Sequence, residues 1–402
     1  MTGVIEATIP ESDLDPFCRA FLEDPYPHHD ILREAGPVVR LSKYGIFGLT
    51  RYDEVRSVLL DWKTYCSSAG VGLSNFRKEP PWRPPGVLLE VDPPMHDRTR
   101  GVLSRLLAPG ILRTLQDTFN READRLIGEL AERGQVDAVT DLAERYPIKV
   151  FSDALGLPEE GRQHLLAYSN IGFNALGPNN WLFQDAMKNG AAAVEWVMAI
   201  CRRDALIPGG FGSAIYDAVD TDELTEEEAF LIVRGFLTAG LDTTVSALGS
   251  AILCLANNPE QLALLRGQPS LARAAFEEAV RIETPVQTLF RTTTRAVEIG
   301  GVRIEDGEKI FLSLASANRD PRKWSDPTHF NIARKIAGHV GYGAGIHVCA
   351  GMIIARMEGD AILGAVARLV DRIDLGGEPQ YQLNNTLRGL ATLPVVFHSA
   401  RR

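Results

Sequence analysis

The 402-residue chain is 45% hydrophobic and 23% charged with no low-complexity tract, which supplies a large core and excludes a disordered chain. Its formal net charge of -10 works against nonspecific attraction to nucleic-acid phosphates or anionic lipid, so neither nucleic acid nor a membrane surface is the expected partner. Cys18, Cys66, Cys201, Cys254 and Cys349 are odd in number and scattered without a Cys-x-x-Cys pair; this argues against a disulfide framework or a zinc site and leaves four of them as ordinary buried thiols.

The opening MTGVIEATIPESDLDPF has neither a positive leader nor an apolar core. No later run is expected to reach the roughly 18 apolar residues of a bilayer span, so a cytoplasmic protein is expected. Short strands are predicted over 37–41 and 44–49, and loop through the proline-dense stretch 79–85. From about Asp97 the pattern turns helical, over 111–133, 158–176, 183–203 and 225–257. The last segment opens on Thr225 with acids in its first turn, is apolar on nearly every face and stops at Asn258-Pro259. At roughly 1.5 Å per residue, this single buried helix spans about 45 Å, enough to cross a domain. Beyond residue 285, strands are predicted over 297–304, turning at Gly300-Gly301, and over 309–314. With no internal repeat or Gly/Ser linker, the expectation is one domain over 1–402, mainly α with a small β region.

One stretch carries distinctive chemistry: Tyr342-Gly343-Ala344-Gly345-Ile346-His347-Val348-Cys349-Ala350-Gly351, followed by the helical run MIIARMEGDAILGAVARLV. A glycine-rich loop delivers one cysteine to a helix start, where positive dipole and free N–H groups favour thiolate, the form that binds metal. Gly343, Gly345 and Gly351 let the loop approach a flat macrocycle and aim backbone donors at the sulfur. The pattern aromatic-Gly-x-Gly-x-His-x-Cys-x-Gly resembles the cysteine-ligand signature of cytochromes P450, with Tyr342 where that family usually has phenylalanine. The tyrosine hydroxyl requires a partner.

The resemblance implies a cytochrome P450 fold with a long central helix over the haem, and haem b (iron protoporphyrin IX) ligated by Cys349. It extends to Glu278-x-x-Arg281, completed by Arg334, as a structural lock beneath the haem, and to His96, Arg100, Arg291 and His347 as partners of the haem propionates, which need cations when buried. In Ala239-Gly240-Leu241-Asp242-Thr243-Thr244, the family's oxygen-activation motif, Thr243 is implied to hydrogen-bond bound oxygen and Asp242 to relay protons. Gly240 is expected to leave space over the iron, and a threonine hydroxyl bonding the i-4 carbonyl to open the helix locally. The implied activity is insertion of one atom of O2 into a substrate C–H bond. No flavin or iron–sulfur segment is present, so electrons are expected from an iron–sulfur ferredoxin with its reductase, received near Arg98, Lys335 and Arg356.

Family comparison places Leu89, Phe173, Ala239, Val286, Leu289 and Thr392 around the substrate, a mostly apolar set suited to a small flat molecule. Trp82-Arg83-Pro84-Pro85, Phe173 and Arg234 further resemble the bacterial subgroup that demethylates para-substituted benzoic acids such as 4-methoxybenzoate, with Arg83 attracting the carboxylate. Gly86 and Gly235 stand where that subgroup tends to carry hydroxyl residues. Neutral aromatic ethers, terpenes and other small apolar molecules remain alternative substrates, and a peroxide-driven peroxygenase an alternative activity, one that usually lacks the acid–alcohol pair.

Overall fold

The apolar stretch 225–257 folds as two helices, Glu226–Ala239 and Asp242–Asn257, in a computed structural model that describes residues 9–400. The first eight residues of the N-terminal stretch considered above lie outside the described residues. Thr225 opens the pair with a capping box: its hydroxyl accepts from Glu228 N at 3.2 Å, and the Glu228 carboxylate accepts from Thr225 N at 2.9 Å. Two hydroxyls interrupt the ladder at Gly240-Leu241. Thr243 Oγ1 donates to Ala239 O at 2.8 Å and Thr244 Oγ1 to Gly240 O at 3.3 Å, while Thr244 N turns to Leu241 O at 2.9 Å. Continuity is thus corrected, and the expected back-bonding threonine is observed.

By length and mean hydropathy of 1.5, the span Glu226–Asn257 also meets the composition of a membrane helix, contrary to the expectation that no run would; 72% of that apolar window is buried inside the protein. It is the core helix pair. The helix expected over 183–203 likewise divides at Gly190 into Trp181–Asn189 and Ala191–Ile200, and that over 158–176 contracts to Leu165–Asn174. Gly190 sits where a Cβ would lie 2.5 Å from Ile171 Cδ1, so the break lets these helices approach.

Met352–Leu369 packs on Pro109–Arg133 and on Ala272–Glu283, and the latter on Asp242–Asn257. This helical core shares one apolar cluster containing Leu126, Leu248, Phe276 and Ile362. Beside it lies a six-stranded sheet in the order Glu11–Ser12, Val39–Leu41, Ile46–Leu49, Lys309–Ser313, Thr288–Thr293, Tyr65–Cys66. Its inner strand Thr288–Thr293 runs antiparallel to Lys309–Ser313 with Leu289 opposite Leu312. Two-residue alternation therefore sends Leu289 and Arg291 to one face and Phe290 to the other. The hairpin Val297–Ile299/Val302–Ile304 turns at Gly300-Gly301 as expected, and 79–85 is loop.

Candidate active site

Cys66, Cys201 and Cys254 are buried, Cys18 is half-buried, and Cys349 is exposed. Gly343 and Gly345 both adopt φ of 72°, a left-handed conformation that favours glycine. At Gly345 a Cβ would also lie 2.5 Å from Leu59 O. The loop closes through Cys349 N donating to Tyr342 O at 2.9 Å, and the helix Met352–Leu369 begins after Gly351. Surrounding protein desolvates the thiol and raises its pKa; the N–H groups of Gly351 and Met352 and the charges of Arg100 and Arg356 pull the other way without prevailing. The helix start alone therefore does not produce a thiolate, whereas a coordinated metal cation deprotonates a thiol outright.

The Tyr342 hydroxyl finds its partner in Glu277, at 3.1 Å. Glu277 also receives Arg356 Nε at 2.8 Å and Nη2 at 2.7 Å and lies 3.2 Å from His339 Nε2. Desolvation opposes ionisation of this buried acid, but His339 and Arg356 prevail and hold its pKa down at about 2. Sequence reasoning passed over Glu277, although it adjoins Glu278. The latter accepts Arg281 Nε and Nη2, both at 2.8 Å, Arg334 Nε at 2.9 Å and Asn331 N at 3.2 Å, while Arg281 Nη1 donates to Asn318 O and Pro327 O at 2.8 Å. The three residues expected to interact thus meet in one network.

The four expected propionate partners differ in their surroundings. Arg291 is 2% exposed, and its side chain makes a single hydrogen bond, from Nη1 to Phe290 O at 2.8 Å; desolvation pushes its pKa down to about 10. Arg100 is half-buried, is likewise lowered by desolvation, and has no carboxylate partner among the described residues. The His96 and His347 rings stand 4.6 Å apart; His96 Nε2 contacts Ile346 O at 3.1 Å, and His347 Nε2 lies 3.6 Å from Asp92 Oδ1 with no hydrogen-bond partner among the described residues. Desolvated guanidinium groups without counter-anions are costly, and carboxylates would relieve them. A loop cysteine beside such groups fits a haem, whose carboxylates would satisfy them.

Asp242 and Thr243 lie at the start of the second central helix. Burial, with Glu144 adding repulsion, raises the Asp242 pKa to about 7, against a hydrogen bond from Ser169. The native fold therefore retains this proton between 3.8, the ordinary value, and about 7, so stability from this group falls as pH rises through that window and is flat above it. Asp242→Asn is expected to leave the urea midpoint unchanged near about pH 4 and to raise it near about pH 8, measured on the same preparation. A Cβ on Gly240 would lie 2.5 Å from Phe151 Cζ and 2.7 Å from Phe236 O, so the small residue admits Phe151. Gly240→Ala is expected to cost about 1–3 kcal/mol by overpacking, read from urea denaturation.

Of the residues assigned to substrate, Phe173 is buried, Val286, Leu289 and Thr392 are half-buried, and Ala239 and Leu89 are exposed. Arg83 already holds a carboxylate: Nη1 donates to buried Glu90 Oε2 at 2.8 Å and to Pro84 O at 2.9 Å. Arg234, 6% exposed, donates from Nη2 to Pro84 O at 2.8 Å and has no acidic partner among the described residues. Nothing lies within 4 Å of a Cβ built on Gly235, and a Cβ on Gly86 would meet only Glu90 Oε2 at 3.6 Å. At the expected redox face, Arg98 is bound to Glu228 at 2.8 Å and Arg356 to Glu277; Lys335 alone of the three is exposed without such an ion pair among the described residues.

Comparison with known proteins agrees with this geometry. The chain is 53% identical over 395 residues to cytochrome P450 CYP199A2 of Rhodopseudomonas palustris, covering 98% of this chain and 96% of that protein. It is 32% identical to cytochrome P450 107B1 of Saccharopolyspora erythraea, over 95% of this chain and 97% of that one. The crystal structure of CalO2 superposes with a TM-score of 0.83 at 29% identity, covering 96% and 98% of the two chains. A cytochrome P450 family profile matches residues 210–370, the segment holding the central helices, the Glu278 network and the cysteine loop. With likeness to such relatives running over nearly its whole length, the chain belongs to the cytochrome P450 family and is a haem-dependent monooxygenase.

Proposed function

We propose that residues 1–402 act as one catalytic domain that oxidises small aromatic acids, by O-demethylation or hydroxylation of para-substituted benzoates. The carrying observation is Arg234: a buried guanidinium without an acidic partner, beside the Arg83–Glu90 pair. A carboxylate satisfies it and gains a charge-assisted bond in surroundings that penalise an unpaired cation. Arg83, neutralised by Glu90, orders the Pro84 carbonyl that both arginines share.

In this reading Cys349 ligates the iron of haem b, and His96, Arg100, Arg291 and His347 hold its propionates. When bound, the haem supplies oxygen activation, with two electrons and two protons consumed per O2 and one oxygen atom inserted into a C–H bond. Phe173, Val286 and Leu289 exclude water and hold the para substituent, with Leu89, Ala239 and Thr392 completing the enclosure. Thr243 donates its hydroxyl hydrogen to Ala239 O, which leaves its oxygen lone pairs facing outward to accept a proton-bearing group. Asp242 keeps its carboxyl protonated up to neutral pH and hands that proton on. On a methoxy substituent the products are the phenol and formaldehyde. Electrons come from an iron–sulfur ferredoxin and its reductase, with Lys335 as an exposed contact.

Spin-state titration with para-substituted benzoic acids and their neutral methyl esters tests the substrate. Acids are expected to bind more tightly, and Arg234→Met to weaken acids by about 10- to 100-fold, the worth of roughly 1.5–3 kcal/mol for a charged hydrogen bond, while leaving esters unchanged. Equal binding of acids and esters by the unsubstituted protein sinks the acid reading.

A further inference from the structure

A cavity of about 170 Å³ opens behind Asp242, and its polar lining includes Glu144, Asn170, Ser246 and Gln382. Polar walls and this volume suit several hydrogen-bonded waters. Glu144 occupies the corner between the turn Ala138–Ala143 and the helix Arg145–Leu155, where its backbone is held by Glu144 N donating to Val139 O at 2.9 Å. Its half-buried side chain makes no hydrogen bond or ion pair among the described residues. Among the described residues, no lysine, arginine or histidine lines the cavity.

The charged and titratable groups around the pair can be named from each packed element. Asp242 faces Glu144 from that corner, Ser169 and Asn170 from the helix Leu165–Asn174, Ser246 from its own helix, and Gln382 from the strand Gln380–Gln382. Glu144 in turn feels Asp137, whose carboxylate accepts from Val139 N at 2.9 Å and Leu393 N at 3.1 Å. The neighbouring Arg145 is turned away onto Glu129, at 3.0 Å. An acid in such a place is ordinarily steadied by a cation; here a second acid stands in that position.

We propose that Glu144 is the outer member of a two-carboxylate proton relay, taking protons from solvent and passing them through water in this cavity to Asp242. Its carboxyl group gives a proton to a cavity water as that water gives one to the Asp242 carboxylate; the Glu144 carboxylate is then reprotonated from bulk, so no other reactant is consumed. Glu144 touches neither substrate nor haem. It acts through Asp242, both as a donor and as the charge that keeps Asp242 protonated, in agreement with the raised pKa of both acids. The inference rests on the reading of Asp242 as the proton donor to the oxygen site.

Infrared titration of the ferric holoprotein tests the coupling without turnover. The protonated-carboxyl stretch lost in Asp242→Asn identifies Asp242. In Glu144→Gln that band is expected to titrate about one pH unit lower, because a like charge has been removed, and Glu144→Asp is expected to restore it. Product formed per electron in Glu144→Gln is expected to fall severalfold, with a larger solvent deuterium isotope effect and an unchanged substrate-induced spin shift. An unmoved Asp242 band, or an unchanged isotope effect, overturns the relay. Unchanged O2-dependent turnover in Asp242→Asn instead overturns the donor role of Asp242, while the Glu144 coupling remains readable in the infrared band.

Discussion

Cys349→Ser is expected to abolish oxygenation while leaving the protein folded. The backbone of Cys349 closes its loop through Tyr342 O, and Gly343 and Gly345 set the turn, so a serine keeps the same chain path. Cys349 belongs to none of the apolar core clusters, and its replacement leaves the helix Met352–Leu369 on its partners. The change is electronic: a neutral hydroxyl donates far less charge to iron than a thiolate, and O–O cleavage depends on that donation. Turnover is expected to fall on the order of a thousandfold or more, equivalent to about 4 kcal/mol of barrier. Circular dichroism checks the fold, and the reduced carbon monoxide spectrum checks the ligand. Retained turnover together with a thiolate-type spectrum would falsify the assignment of this cysteine.

Glu278→Ala is expected to have the largest effect on stability. Glu278 is 1% exposed and Arg281 is fully buried, and the single carboxylate holds two guanidinium groups and the Asn331 N–H. Removing it strands positive charge in the interior while Arg281 remains fixed to Asn318 O and Pro327 O and Arg334 to Ser325 O at 2.6 Å. Breaking one partner of a buried pair costs about 3–5 kcal/mol, about a fifth or more of a small domain's usual margin of roughly 5–15 kcal/mol. Denaturant unfolding of the holoprotein measures it. A double-mutant cycle with Arg334→Met is expected to show strong coupling, because both substitutions remove the same bond. Additive losses would mean that the two residues act independently.

The cysteine loop was legible because its chemistry demands residue types at fixed spacing: glycines where φ is positive, a histidine, one sulfur and then a helix. Capping at Thr225 and the stop at Asn258-Pro259 were legible for the same local reason. The helix interruption was visible only as a possibility, since a threonine hydroxyl competes with the backbone ladder in many helices that remain continuous. The packing of Phe151 against Gly240 was not legible because the two lie far apart in the chain, and the helix break at Gly190 was hidden for a similar reason, through Ile171.

Charges divide along the same line. Residue type and motif order pointed to Cys349, Asp242-Thr243, the Glu278–Arg281–Arg334 set and the propionate candidates, because each class of chemistry restricts which side chains can perform it. Only the tertiary structure decided which charges are already neutralised. Arg83 is held by Glu90, Arg98 by Glu228 and Arg356 by Glu277, whereas Arg234, Arg100 and Arg291 keep no acidic partner among the described residues. A guanidinium is equally charged in every sequence context, but its availability to a ligand depends on desolvation and on counter-ions, and both are set by residues that meet only when the chain folds.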